Sequence, residues 1–296
     1  MKVLSIKEPY ATLIKNGIKK IETRSYKTNY RGELYIHASL KMRDNYQDNK
    51  ELLSLIKNYN FKLGYIICKC KLVDCLYMTE EFIEDIKENN YSEYICGDYK
   101  VGRYAWILDD IEVLNNPISA KGSLGIWNYY SDDYVFDMMK DIKYGYLSAD
   151  KKKYFNFSEF ASLYRLQSPK EIIKSRIGVC FDQVELERYY LSRSYSNIKT
   201  YFIINYHEDI TTHTFLTYEK NKKYYYFEHA WEKYIGIHSY DTKEELLLDV
   251  KSKFILSLRN PNNFDIAIYE YQKPKFNISL DEFFKHCESS FKISSK

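Results

Sequence analysis

Three residues in the second half of the chain are of types that, held together, cleave or exchange amide bonds. Cys180 stands in the run Arg176-Ile177-Gly178-Val179-Cys180-Phe181-Asp182-Gln183, two residues after a glycine and at the start of an amphipathic stretch. That stretch reads as a helix from Cys180 to about Leu191. A helix N-terminus carries roughly half a positive charge, which favours the thiolate, the nucleophilic form of cysteine. Gly178 would let the backbone approach a substrate closely, and N–H groups of the first helical turn could hold an oxyanion. A nucleophile needs a base within reach. His213 comes early in a strand-like run at 212–219, and Asn221-Lys222 is a hairpin-turn signal. Glu228 falls on the returning run, 15 residues after His213, where its carboxylate can orient the imidazole. The set reads as Cys180 nucleophile, His213 general base and then acid, and Glu228 orienter. The reaction would pass through a thioester resolved by water or by an amine. His229 would point to the other face of its strand. It and Asn205 are reserve candidates for the orienting role. Taken singly, a cysteine at a helix start is usually core and a strand histidine usually structural. The ordered set is what points to chemistry.

A second group lies near the start. Gly17 ends a short helix opened at Pro9, and the chain turns into a strand carrying Lys19, Glu22 and Arg24. Residues two apart on a strand share a face, so Glu22 and Arg24 should enter one cleft with Lys19 at its edge. Cations with a carboxylate between them can bind phosphate, orient a base or transfer protons; a structural ion pair is the plainer reading. Residues 1–43 hold ten Lys and Arg against three Glu, a net +7, which leaves −4 for the rest of a chain of net charge +3. Lys19, Lys20, Glu22, Arg24, Tyr26, Lys27, Tyr30 and Arg31 form the candidate nucleic-acid surface, with the tyrosines as stacking platforms. Tyr10 and Tyr104 are further stacking candidates, and Trp106, in an Ala-Trp-Ile-Leu run, reads as core.

These motifs resemble two families. Gly17-x-Lys19-x-x-Glu22-x-Arg24, Arg31-Gly32, Ile36-His37-Ala38, Gly102 to Leu108 and Gly125-Ile126-Trp127 resemble the ASCH family. That resemblance covers nearly all of residues 1–130. It implies a PUA-like small β-barrel and RNA binding across a charged cleft. One group of relatives, acetylcytidine amidohydrolases, has lysine at the position of Lys19 and threonine at that of Glu22. This chain lacks that threonine, so binding is the expected role, with nucleoside chemistry in the cleft as an alternative. The stretch at 165–235, with Ser168-Pro169-Lys170-Glu171 and then Gly178-Val179-Cys180-Phe181-Asp182-Gln183, resembles the transglutaminase-like core of the papain-like superfamily. That family carries Asp where this chain has Glu228. The resemblance implies a cysteine enzyme; a peptide-binding scaffold without activity is the competing reading.

The elements needed to position these groups are legible. At 296 residues, two domains are expected, 1–130 and 131–296, both of the α+β class. Strands are expected at 2–6, 32–38, 64–74, 101–108, 199–207, 212–219, 223–230 and 265–271. Helices are expected at 79–89, 134–147, from Ser168-Pro169, at 242–257 and at 279–288. Asn115-Asn116-Pro117 is a turn signal. No internal repeat or low-complexity linker stands out. No signal peptide or run of 18 apolar residues is evident, so a cytoplasmic location without membrane association is expected. The six cysteines have no small-scaffold or paired CxxC spacing and read as reduced thiols, and no metal or organic cofactor is implied. A site built from His207, His229 and His238 has irregular spacing. The expected partners are RNA or a nucleotide for the first domain and a peptide or amide for the second; oligomeric state is not legible.

Overall fold

The computed structural model describes residues 1–207 and 210–293. The chain forms two compact units, Met1–Tyr129 and Tyr130–Lys296. Both are mixed α and β.

The first unit contains β1 (Lys2–Glu8), α1 (Tyr10–Lys15), β2 (Ile21–Arg24), β3 (Gly32–Met42), α2 (Lys50–Ile56), β4 (Tyr65–Tyr77), α3 (Glu80–Asn89), α4 (Tyr91–Tyr94), β5 (Tyr104–Ser119) and β6 (Ile126–Asn128). One sheet orders these strands β2-β5-β4-β3-β1-β6, with β1 and β3 parallel and the other pairs antiparallel. Its core is Leu4, Leu34, Ile36, Cys68, Cys70, Trp106 and Leu108. The expected barrel is not closed: β2 and β6 are the two sheet edges, and no ladder joins them among the described residues. A side chain, not a ladder, bridges β2 to β1: Arg24 Nη2 donates to the Ser5 carbonyl at 3.4 Å. The Asn115-Asn116-Pro117 signal lies inside β5 rather than ending it. The β4–β5 register shifts there, between the pairs Ile66↔Ile118 and Cys68↔Val113. Proline cannot donate to a ladder and is tolerated in a sheet at such an irregularity.

The second unit contains α5 (Asp132–Met139), β7 (Tyr146–Leu147), β8 (Lys153–Tyr154), α6 (Phe160–Leu163), α7 (Pro169–Ser175), α8 (Cys180–Leu191), β9 (Lys199–Asn205), β10 (Thr211–Lys220), β11 (Lys223–Glu228), β12 (Gly236–Tyr240), α9 (Lys243–Ser257), β13 (Ile266–Tyr271), α10 (Leu280–Glu288) and β14 (Phe291–Ile293). The antiparallel sheet runs β12-β11-β10-β9-β13-β14. Leu246, Val250 and Phe254 of α9 bury Tyr201, Phe215 and Tyr226 of the sheet. Ser168 and Glu171 form the capping box that starts α7. The hairpin turn is present at Asn221 and Lys222, with φ of 53° and 64°. Two left-handed residues give the primed turn whose twist suits a hairpin. The helix expected at 134–147 ends instead at Met139. The chain beyond it is drawn into pairing: Lys143 N–H donates to the Arg176 carbonyl at 3.0 Å, and Gly178 N–H to the Lys143 carbonyl at 3.1 Å. Tyr146 and Leu147 then pair with β8.

Candidate functional site

Cys180 is the first residue of α8 and is buried. The loop delivering it is held by side chains of the same helix. Asp182 Oδ2 accepts the Val179 N–H at 3.1 Å, while its Oδ1 accepts the Gln167 N–H at 2.8 Å and the Tyr164 hydroxyl at 3.0 Å. Burial pushes the Asp182 carboxyl up to about 7 despite these three donors. Gln183 Nε2 donates to the Gly178 carbonyl at 2.8 Å. A Cβ on Gly178 would lie 3.0 Å from Asp182 Cβ and 3.5 Å from Gln183 Cγ. The glycine therefore makes room for α8's own side chains.

His213 reaches towards Cys180 from β10, close enough for the Cys180 side chain to favour its protonated form. On its other side, His213 Nε2 lies 2.7 Å from Glu228 Oε2 on β11. Both are buried. Glu228 also accepts the Tyr226 hydroxyl at Oε2 and the Trp231 N–H at Oε1, the latter at 2.7 Å. The Trp231 ring covers the imidazole at a centroid distance of 5.0 Å. Burial disfavours the imidazolium, but the Glu228 carboxylate and the Cys180 side chain outweigh it and raise His213 to about 10. Burial works against the Glu228 carboxylate too; His213, the Tyr226 hydroxyl and the Trp231 N–H nonetheless hold it below its ordinary range. Cys180, His213 and Glu228 are thus brought together, with His213 bonded to the carboxylate. A proton taken from the sulfur has a place on the imidazole, and the carboxylate stabilises the cation that results.

The reserve residues hold other partners. His229 Nδ1 bonds Gln183 Oε1 at 3.2 Å, and burial lowers its affinity for a proton. Asn205 Oδ1 accepts the Asp265 N–H at 2.9 Å and its Nδ2 donates to the His207 carbonyl at 2.9 Å, so it ties a loop down. His238 bonds the Tyr234 carbonyl at 2.8 Å. Among the described residues, no group of three or more His, Cys, Asp and Glu is arranged to hold a metal. All six cysteines are free and buried.

In the first unit, a cavity of about 880 Å³ opens among β1, β2, β3 and the 121–125 loop. Eight cations line it: Lys7, Lys19, Arg24, Lys41, Arg43, Lys100, Arg103 and Lys121. The acids lining it are Glu22 and Asp98, so the cavity is strongly positive. Lys19 does not sit at the cleft's edge as its place in the strand suggested. It is 1% exposed, with Nζ 3.8 Å from both Glu22 and Glu93 and donating to the Ile21 carbonyl. Glu22 also pairs with Arg24 at 3.1 Å. Of the expected surface, Lys19, Glu22, Arg24 and Tyr26 line the cavity; Lys20, Lys27, Tyr30 and Arg31 do not. Arg31 is paired with Asp74 at 2.9 Å and donates to the Thr28 and Tyr30 carbonyls, and the Tyr30 hydroxyl caps the Glu33 carbonyl. Tyr10 lines the cavity too, whereas Trp106 is buried core, in T-shaped contact with Tyr26 at 5.5 Å.

Residues 4–117 match the family model of the ASCH domain, and residues 134–253 match that of a transglutaminase-like domain. The chain joins an ASCH domain to a transglutaminase-like domain. No curated protein matches it. Reading the sequence missed several groups at the transglutaminase-like site. Tyr144 lies beside Cys180, placed there by the pairing of Lys143 with the 176–178 loop, and Cys180 bears on the charge of its hydroxyl. Its ring is half-exposed, yet burial at the hydroxyl end, together with Cys180, raises its pKa. Glu187 of α8 is fully buried with no partner for Oε2, and burial, reinforced by the charge of Glu228, keeps its carboxyl raised. Neither belongs to a motif; the capping Asp182 at least stood three residues inside a helix start, where an acid commonly caps. No described helix is long and apolar enough to cross a membrane.

Proposed function

We propose that the transglutaminase-like domain is a cysteine enzyme acting on amides and that the ASCH domain binds RNA or a nucleotide by its phosphates. The observation that carries the first part is the convergence of Cys180, His213 and Glu228, with the imidazole 2.7 Å from a buried carboxylate and near enough to Cys180 for that side chain to favour its protonated form. In this reading Cys180, as thiolate beside the His213 imidazolium, attacks the acyl carbon. The tetrahedral intermediate collapses as His213 gives its proton to the departing amine. A thioester on Cys180 remains, and the now neutral imidazole takes a proton from water or from a second amine, which releases the acyl group. Glu228 keeps the imidazole oriented throughout. The second part is supported by the family match and by eight cations around one cavity.

The test is site-resolved labelling by iodoacetamide across pH, read by mass spectrometry on wild type and His213→Ala. An activated Cys180 should react fastest of the six thiols at neutral pH and lose that lead without His213. If Cys180 reacts no faster than Cys68 or Cys287, the enzyme reading fails and the chain is better pursued as an RNA-binding adaptor with an inactive scaffold. The buried Lys19 between Glu22 and Glu93 favours a further reading, proton transfer on a bound nucleoside in the ASCH cavity. Loss of turnover of a modified nucleoside in Lys19→Met with RNA binding retained would support it.

A further inference from the structure

The ASCH cavity is charged unevenly. Of the eight cations that line it, five have acids against them. Glu22 and Glu93 answer Lys19 and Arg24, with Lys19 Nζ 3.8 Å from each acid and Arg24 3.1 Å from Glu22. Asp44 pairs with Lys7 at 2.9 Å. Asp98 is shared by Lys100 at 3.2 Å and Arg103 at 3.5 Å. Lys41, Arg43 and Lys121 make no ion pair among the described residues. Four positive charges are therefore left over, three of them on these exposed side chains.

The three stand together on held backbone. His37, Ser39 and Lys41 line the cavity from alternate positions of β3, and Arg43 continues the series past its end. Ser39 Oγ donates to the Lys41 carbonyl at 2.9 Å, and the Arg43 N–H donates to the Glu8 carbonyl at 2.6 Å. Lys121 is brought to the same strand by its neighbour. The Ala120 N–H donates to the Gly64 carbonyl at 3.0 Å, and the Gly64 N–H to the Ala38 carbonyl at 2.7 Å. His37 Nε2 meets the Ala120 carbonyl at 3.1 Å, and the Ser123 N–H donates to Ser5 Oγ at 3.3 Å, so the loop is fastened on both sides of Lys121. A Cβ on Gly122 would lie 2.4 Å from the His37 ring, so the loop rests directly on that ring. Like charges gathered on fixed backbone, with no acid among them, repel one another, and a dense anion relieves that repulsion.

We propose that Lys41, Arg43 and Lys121 hold the phosphate chain of a 5′-triphosphate nucleotide, free or at the end of an RNA. This rests on the phosphate-binding reading of the ASCH domain and names its ligand. An internal phosphodiester brings one negative charge, whereas a 5′-triphosphate brings about four, its last phosphate being doubly ionised near neutral pH. The charge left over in the cavity matches the second. The volume of about 880 Å³ falls within the range of small-molecule sites, about 300–1,000 Å³. Tyr26, half-exposed on the cavity wall, offers the base a ring to stack on. Cations already held in place bind without first being ordered.

The probes are one short single-stranded RNA, made with a 5′-triphosphate or with a 5′-hydroxyl, and ATP as competitor. Binding to the full chain is followed by fluorescence anisotropy in buffer without divalent cations. Wild type should prefer the triphosphate end by about tenfold, the worth of one charge-assisted hydrogen bond. Lys41→Ala and Arg43→Ala should bring the ratio of the two affinities towards one. Lys71→Ala removes a charge outside the cavity, paired with Asp110 at 2.7 Å, and should keep the preference. ATP competing as well as the triphosphate RNA assigns the site to a free nucleotide, and ATP competing about tenfold less well assigns it to an RNA end; both support the triphosphate site. Equal affinity for the two RNA ends in wild type, a preference kept in both cavity variants, or a preference lost equally in Lys71→Ala overturns the triphosphate site and leaves RNA binding standing. Binding of neither RNA nor ATP overturns the phosphate-binding reading and takes the site with it.

Discussion

In Glu228→Gln the side chain keeps its shape and loses its charge. Glu228 is buried, accepts from Tyr226 and Trp231, and lies 2.7 Å from His213. In the wild type, Glu228 and Cys180 together carry His213 to about 10 from an ordinary 6.5, against the pull of burial. Because that rise is net of burial, at about 1.36 kcal/mol per pH unit it sets a floor near 5 kcal/mol for what the two neighbours do for the imidazolium. Cys180 holds part of that, so the carboxylate's share is at least on the order of 3 kcal/mol. Without it only the Cys180 side chain opposes burial, and the imidazole's hold on its proton weakens. Labelling of Cys180 by iodoacetamide near pH 6.5 should then fall about a hundredfold, since about 1.4 kcal/mol is a factor of ten. The assay follows the rate at each thiol from pH 5 to 9 by mass spectrometry. Cys70, whose thiol burial pushes up to about 12, serves as the slow internal reference. A Cys180 rate within about threefold of wild type near pH 6.5 would show that Glu228 does not sustain the imidazolium, and the argument from the buried pair would be wrong.

Other consequences follow from the same geometry. His213 has a folded value near 10, above its unfolded 6.5, so the stability it contributes is complete below pH 6.5 and lost as pH rises through about 10. Urea midpoints of wild type should decline across that window more steeply than those of His213→Ala; parallel profiles would refute the linkage. Asp182 is raised to about 7 from 3.8, which makes stability fall as pH climbs between those values. Asp182→Asn should flatten that decline and, by turning an amide towards the Val179 N–H, cost about 1–3 kcal/mol at pH 4 in chemical denaturation. Lys41→Ala and Lys121→Ala should each lower affinity for single-stranded RNA and reduce the log–log salt slope by about 0.7, by fluorescence anisotropy. Arg31→Ala, its charge committed to Asp74, should leave the slope unchanged; an equal drop would place the RNA elsewhere.

The features legible in the sequence are those written locally. Helix starts at Ser168 and Cys180 and the primed turn at Asn221-Lys222 rest on neighbouring residues, and the structure has all three. The hairpin then brings Glu228 to His213, because a turn of known length sets which residues meet. Tyr144 escaped notice because its segment looks helical, and only pairing with the 176–178 loop straightens it. The ASCH cavity shows the same limit in reverse. The dense run from Lys19 to Arg31 drew attention, yet Arg31 and Tyr30 bind their own loop. Lys41 of β3 and Arg103 and Lys121 of two loops gather from far apart in the chain, and no single run of sequence brings them together.

The β10–β11 hairpin has a bearing on how the transglutaminase-like domain assembles. His213 and Glu228 are separated by 15 residues and joined through a two-residue turn, so their meeting requires only local loop closure. Cys180 comes from a helix outside that hairpin and must be brought in by docking of α8 on the sheet. The acid and base can therefore be paired in a chain that is still partly unfolded, while the sulfur joins them only on completion. Alkylation of Cys180 measured along a urea titration would then double as a gauge of how much of this domain is fully assembled, with no added probe.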